Sequence, residues 1–133
     1  MVGTEHPFRL SVRIAADLGE AEAGELRTAL ADRGFEDALT RRETRRGGVH
    51  WRIDLGRAGR PDPLFDRLVD LGEPVARTVG RITPEGTVYV SLCQEIDDVD
   101  DPGQKGIWFA PEAVRWAALA GASIDIDQYI YTD

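Results

Sequence analysis

The sequence predicts an α+β domain: an antiparallel sheet with helices packed on one face, arranged as a ferredoxin-like βαββαβ core with an added C-terminal β-α-β unit. Three observations lead there. Apolar and polar residues alternate through Phe8–Ile14, Val49–Leu55 and Ser123–Ile130, the period of strands with one buried face. Apolar residues recur at helical spacing in Ala23–Arg33 and Leu64–Leu71, and a proline-started, glycine-stopped segment spans Pro111–Gly121. The resulting order, βαββα(β)ββαβ, mixes hairpins with helices in the manner of an α+β fold.

Each element follows from its own residues. Phe8–Ile14 is the first strand. Ala23, Leu26, Ala29 and Leu30 form the stripe of the first helix, the acids Glu20, Glu22 and Glu25 suit its positive end, and Gly34 offers a left-handed stop with Phe35 beyond it. Glu36–Arg46 is polar, either an exposed edge strand or an irregular arm. Gly47-Gly48 then turns the chain into Val49–Leu55, a strand expected to pair back as a hairpin. Asp62-Pro63 opens the second helix, with Asp62 expected as the capping acceptor and Pro63 at the first helical position. Gly72 and Pro74 close it. Val75–Ile82 reads as a strand or extended link, Thr83–Gly86 as a turn, and Thr87–Cys93 as a central strand. Glu95–Lys105 is expected to be a mobile acidic loop, and Ile107–Phe109 a short strand before the last helix. The whole of 1–133 reads as a single domain, with residues 1–6 frayed.

Composition limits the function. Sixteen basic residues against twenty-four acidic give a net charge of −8, which argues against nucleic acid and anionic membrane as partners. Fifteen of the sixteen are arginine; with the abundance of Ala, Gly and Asp, that is the mark of a GC-rich bacterial genome. The charge is uneven. Residues 41–60 carry seven arginines against Glu43 and Asp54, whereas residues 85–133 carry ten acids against Lys105 and Arg115. Cys93 is the single cysteine, expected to be a buried structural thiol in a reducing compartment. No apolar run reaches membrane-spanning length, and Met1–Pro7 lacks the basic-then-apolar order of a signal peptide, so a cytoplasmic location is expected.

The candidate sites are surfaces rather than catalytic sets. In Ser123–Ile130 the two-residue period sends Ile124, Ile126 and Ile130 one way and Asp125, Asp127 and Tyr129, followed by Tyr131, the other. Paired carboxylates can do acid–base chemistry or hold a metal, and tyrosines suit interfaces. Against that stands the plain reading of a solvated strand face. Asp97, Asp98, Asp100 and Asp101 could cover a basic partner; Pro102 and Gly103 break any calcium-loop register. Arg41, Arg42, Arg45 and Arg46 form a basic cluster able to grip carboxylate or phosphate. Trp51, Trp108 and Trp116 read as core or sheet-packing residues. No nucleophile elbow, phosphate-binding glycine loop or histidine cluster is present, so no catalytic residue, metal site or cofactor is assigned.

Several of these segments together resemble a known family. The first strand, His50-Trp51-Arg52-Ile53, Leu64-Phe65-Asp66-Arg67-Leu68, and the ending Pro111-Glu-Ala-Val with Ala120-Gly-Ala-Ser-Ile-Asp-Ile-Asp-Gln-Tyr129 are similar to a bacterial family catalogued as domain of unknown function 4279. The resemblance implies a single small domain over nearly the whole chain, and the family name assigns it no activity. It departs at Arg33–Asp37 and in the Arg41–Arg46 arm.

The function expected from the sequence is a non-enzymatic protein-binding module, with a toxin-immunity protein as its concrete form by analogy of size and charge. The alternative is a small-ligand or metal-dependent enzyme using Asp125 and Asp127. A third reading is a homodimeric scaffold pairing edge strands.

Overall fold

The structure, a computed structural model, describes residues 6–98, 100 and 107–131. Its order is β1 (Phe8–Ile14), α1 (Glu20–Ala31), β2 (Leu39–Glu43), β3 (Val49–Ala58), α2 (Asp62–Asp70), α3 (Gly72–Ile82), β4 (Val88–Ile96), α4 (Pro111–Leu119) and β5 (Ser123–Ile130). The strands form one sheet in the order β2-β3-β1-β4-β5. Its first four strands are all antiparallel and have the ferredoxin-like arrangement expected from the sequence. β5 then joins β4 in parallel, so the sheet is mixed rather than wholly antiparallel. A parallel neighbour needs a crossover, and α4 supplies it.

One face of the sheet carries the helices. Phe8, Leu10, Val12 and Ile14 of β1, Trp51, Ile53 and Leu55 of β3, and Val88, Val90 and Leu92 of β4 form a single buried cluster. The residues meeting them are Leu26 and Leu30 of α1, Leu64, Phe65 and Leu68 of α2, Val75 and Val79 of α3, and Ala113, Trp116 and Ala117 of α4. Burying a leucine or valine of this kind contributes about 1.5–3 kcal/mol, and this shared core holds the two layers together. Among the described residues no helix is long and apolar enough to cross a membrane.

Three local expectations are corrected. Val75–Ile82 is helix, not strand: Val75, Ala76 and Val79 are buried at helical spacing, and the Thr78 hydroxyl donates to the Pro74 carbonyl at 2.9 Å. The β-branched valines and threonine pointed to a strand locally, and packing against α1 and α4 overrode that preference. Ile107–Phe109 forms no strand. Ile107 and Phe109 instead drop half-buried onto the core, with the Phe109 ring 4.4 Å from that of Phe65. Asp62 lies inside α2 and makes no capping bond; Pro61 occupies the cap position.

Other boundaries follow the local chemistry closely. Gly34, at φ 82°, ends α1, and the Phe35 N–H donates to the Leu30 carbonyl at 2.9 Å. The ambiguous arm is an edge strand, joined to β3 by a turn in which the Gly48 N–H donates to the Thr44 hydroxyl. Glu95 and Ile96 belong to β4, so the acidic loop begins later than expected; Asp101 and the rest of 101–106 lie outside the described residues.

Candidate functional site: the open face of the sheet

Among the described residues no helix or strand covers the side of the sheet opposite the helices. Strand pairing aligns its side chains in rows. One row reads Thr40, Arg52, Arg13, Tyr89, Ser123 from β2 to β5; the next reads Asp54, Ser11, Ser91, Asp125. A third reads Arg57, Arg9, Cys93, Asp127, and Arg42 stands opposite His50 at the β2–β3 end. The third row exists because β3 carries a bulge. Gly56, at φ 89°, supplies the extra residue, its N–H bonded to the Asp54 carboxylate at 2.9 Å, and this turns Arg57 onto the open face.

Two halves of opposite sign result. Over β3, β1 and the neighbouring part of β2 stand Arg9, Arg13, Arg42 and Arg52. Among the described residues none of these four forms an ion pair. Burial, then the like charges of Arg42, Arg9 and Arg13, hold Arg52 below the ordinary arginine value, with Asp54 opposing them. Arg52 remains a cation in all ordinary conditions, and after burial the causes of its shift show that three other guanidinium groups act on it across this surface. Ser11 and Ser91, at the centre, are buried although they face the open side, because longer side chains flank them.

Over β4 and β5 stand Glu95, Asp125, Asp127, Tyr129 and Tyr131. Asp125 and Asp127 are half-buried, and the two tyrosines are exposed. Only Arg57 and Glu95, 3.8 Å apart, link the halves by an ion pair among the described residues. Asp97, Asp98 and Asp100 follow β4 as exposed residues.

The predicted site residues are therefore partly regrouped. Asp125, Asp127 and Tyr129 do share one face, as their spacing predicts, and just past the strand the Tyr131 N–H continues the ladder to the Ile96 carbonyl. The arginine cluster does not stay together, because the strand pleat divides it. Arg42 faces the open side, while Arg41 lies on the helical side against Asp17 at 3.7 Å and Glu43 at 3.0 Å. Arg45 and Arg46 lie in the hairpin turn. Cys93 is half-buried on the open face, not in the core, and Trp108 is 71 % exposed, whereas Trp51 and Trp116 are buried as expected.

Arg9, Arg13 and Arg52 were missed as site residues. Their signal was present: each occupies a polar position of an alternating strand. Only the β1–β3 pairing brings the three together. Among the described residues no three His, Cys, Asp or Glu side chains cluster to hold a metal ion. Comparison with protein-family models, with curated proteins and with solved structures finds no match for this chain.

Proposed function

We propose that this chain is a binding module that holds a protein partner on the open face of its sheet, with a carboxylate-rich segment of that partner over β1 and β3. The observation that carries the reading is the set Arg9, Arg13, Arg42 and Arg52, which among the described residues form no ion pair, in a chain of net charge −8. Like charges opposite one another across strands cost about 0.2–1 kcal/mol per pair, and a bound carboxylate would remove that cost. Guanidinium groups pair with carboxylates in two-point geometry, which gives orientation as well as attraction. The acids and tyrosines of β4 and β5 then meet the basic or polar flank of the same partner. An immunity protein that occludes a toxin is the concrete form of such a module.

The test is a titration of isotopically labelled protein with a hexaglutamate peptide, followed by amide and arginine side-chain resonances. Saturable shifts centred on β1 and β3, abolished in the double variant Arg13→Gln/Arg52→Gln and retained in Arg77→Gln on α3, support the reading. Shifts that are absent, or confined to the helical face, contradict it.

A further inference from the structure

The two edges of the sheet are built differently. β2 is five residues long and mostly charged, with Arg41, Arg42 and Glu43 in sequence, a pattern that discourages further strand pairing. β5 is eight residues long, pairs with β4 without a bulge, and contains neither proline nor lysine. On its helical side Ile124, Ile126 and Ile130 are 41 %, 41 % and 56 % exposed, because the helical layer ends before reaching this strand's outer edge.

Among the described residues no strand pairs with the outer side of β5, and the phase of its outward backbone groups is known. The Tyr131 N–H donates inward to the Ile96 carbonyl at 2.8 Å, so odd-numbered residues of the strand bond to β4. Along a strand, bonding groups alternate sides; Ile124, Ile126, Gln128 and Ile130 therefore direct N–H and C=O outward. Antiparallel pairing of two β5 strands across a two-fold axis must set these even residues opposite one another, which leaves few registers. Centred on Asp127, the pairing opposes Asp127 to itself; centred on Ile126, it opposes Asp125 to Asp127 twice. Centred on Gln128, it opposes Asp127 to Tyr129, Asp125 to Tyr131, and Ile126 to Ile130, each pair occurring twice. This register gives both strand carboxylates a phenol and sets two of the three exposed isoleucines, Ile126 and Ile130, against each other. A centre on Tyr129 leaves a shorter overlap.

We infer that β5 is a self-association edge: two copies of the chain pair antiparallel through it, centred on Gln128, to form one continuous ten-stranded sheet. A second copy is the occupant because the complementarity is internal to the strand. The strand itself supplies both members of each acid–phenol and isoleucine pair, so a second copy running in reverse direction meets them with no further sequence required. The Asp–Tyr pairs fall at the non-hydrogen-bonded positions, where opposed side chains come closest. The dimer keeps both arginine fields at the outer ends of the joined open face, so it does not depend on what those fields bind.

Sedimentation equilibrium on the full chain tests the inference. The wild type is expected as a dimer. Tyr129→Asp opposes acid to acid at two symmetric positions and weakens the dimer by about tenfold in Kd. Adding Asp127→Lys to that variant places opposite charges across each pair and restores the association. The pair Ile126→Lys with Ile130→Glu reads the same register from the helical side: the first alone dissociates the dimer, and the two together recover it. Arg13→Gln/Arg52→Gln leaves the dimer unchanged, which separates this test from that of the open-face reading. A wild type that stays monomeric at about 1 mM, a protein concentration at which even weak pairing shows, overturns the inference. So does failure of both charge-swapped variants to recover association.

Discussion

Two identical substitutions in two helices should change stability in opposite directions. Gly80, in α3, lies where that helix crosses α4: a Cβ built there would sit 2.6 Å from the Leu119 carbonyl oxygen and 3.4 Å from the Ala120 carbonyl carbon. Gly24, in α1, has nothing within 4 Å of the same position. In an exposed helix interior alanine is favoured over glycine by about 1 kcal/mol, so Gly24→Ala is expected to stabilise the protein by about 0.5–1 kcal/mol. At Gly80 the same gain is set against overpacking of backbone on backbone, which costs about 1–3 kcal/mol or more. The neighbour is the α4 main chain rather than the end of a flexible side chain, so relief requires moving the helix. Gly80→Ala is therefore expected to destabilise by about 1–2 kcal/mol net. Urea unfolding followed by circular dichroism and tryptophan fluorescence reads both. With a slope of about 1–3 kcal/mol per molar urea, the two midpoints should separate by about 0.5–3 M. If Gly80→Ala is as stable as Gly24→Ala, the close crossing that seats α4, and through it β5, is wrong.

Three further predictions follow from the same geometry. Arg52→Gln, by removing a cation opposite Arg13, should raise stability by about 0.2–1 kcal/mol at low salt, and the gain should shrink in about 1 M salt, as urea midpoints at both salts will show. Gly56→Ala places a side chain at φ 89° against the Arg67 guanidinium, which itself donates to the Leu55 carbonyl at 2.8 Å; a loss of about 1–2 kcal/mol in urea unfolding is expected. Glu25 and Glu73 are held below the ordinary value of 4.5, first by hydrogen bonds from Arg81 and Arg115 respectively. A depressed folded-state value stabilises the fold above 4.5 and is lost as pH falls through and below that value. Glu25→Gln/Glu73→Gln should therefore flatten the acid limb of the stability–pH curve and leave its alkaline limb unchanged.

How far the sequence discloses this molecule depends on whether a feature is local or needs pairing. β1 was legible to the residue because Phe8–Ile14 alternates without interruption and nothing in the tertiary structure opposes it. α3 was not, because Val75, Thr78 and Val79 favour strand locally and only burial against α1 and α4 makes them helical. The face shared by Asp125, Asp127 and Tyr129 follows from period alone and stands. The arginine surface depends on which strands are neighbours: adjacency in sequence selected Arg41, Arg42, Arg45 and Arg46, whereas strand pairing keeps only Arg42 of these and gathers it with Arg9, Arg13 and Arg52. Trp108 shows the converse: a large apolar residue beside Ile107 and Phe109 suggests core, yet those two neighbours take the core contacts and leave it exposed.

The central claim, that the open face holds a protein through Arg9, Arg13, Arg42 and Arg52, is tested most directly by comparative capture from extracts of the cells that encode the chain. Wild-type protein and the double variant Arg13→Gln/Arg52→Gln, each immobilised at equal density, are compared by quantitative mass spectrometry, with Arg77→Gln as the helical-face control. The account predicts a protein retained by the wild type and by Arg77→Gln and lost from the double variant, whose bound segment protects β1 and β3 from hydrogen exchange. Retention of the same proteins by all three would contradict it.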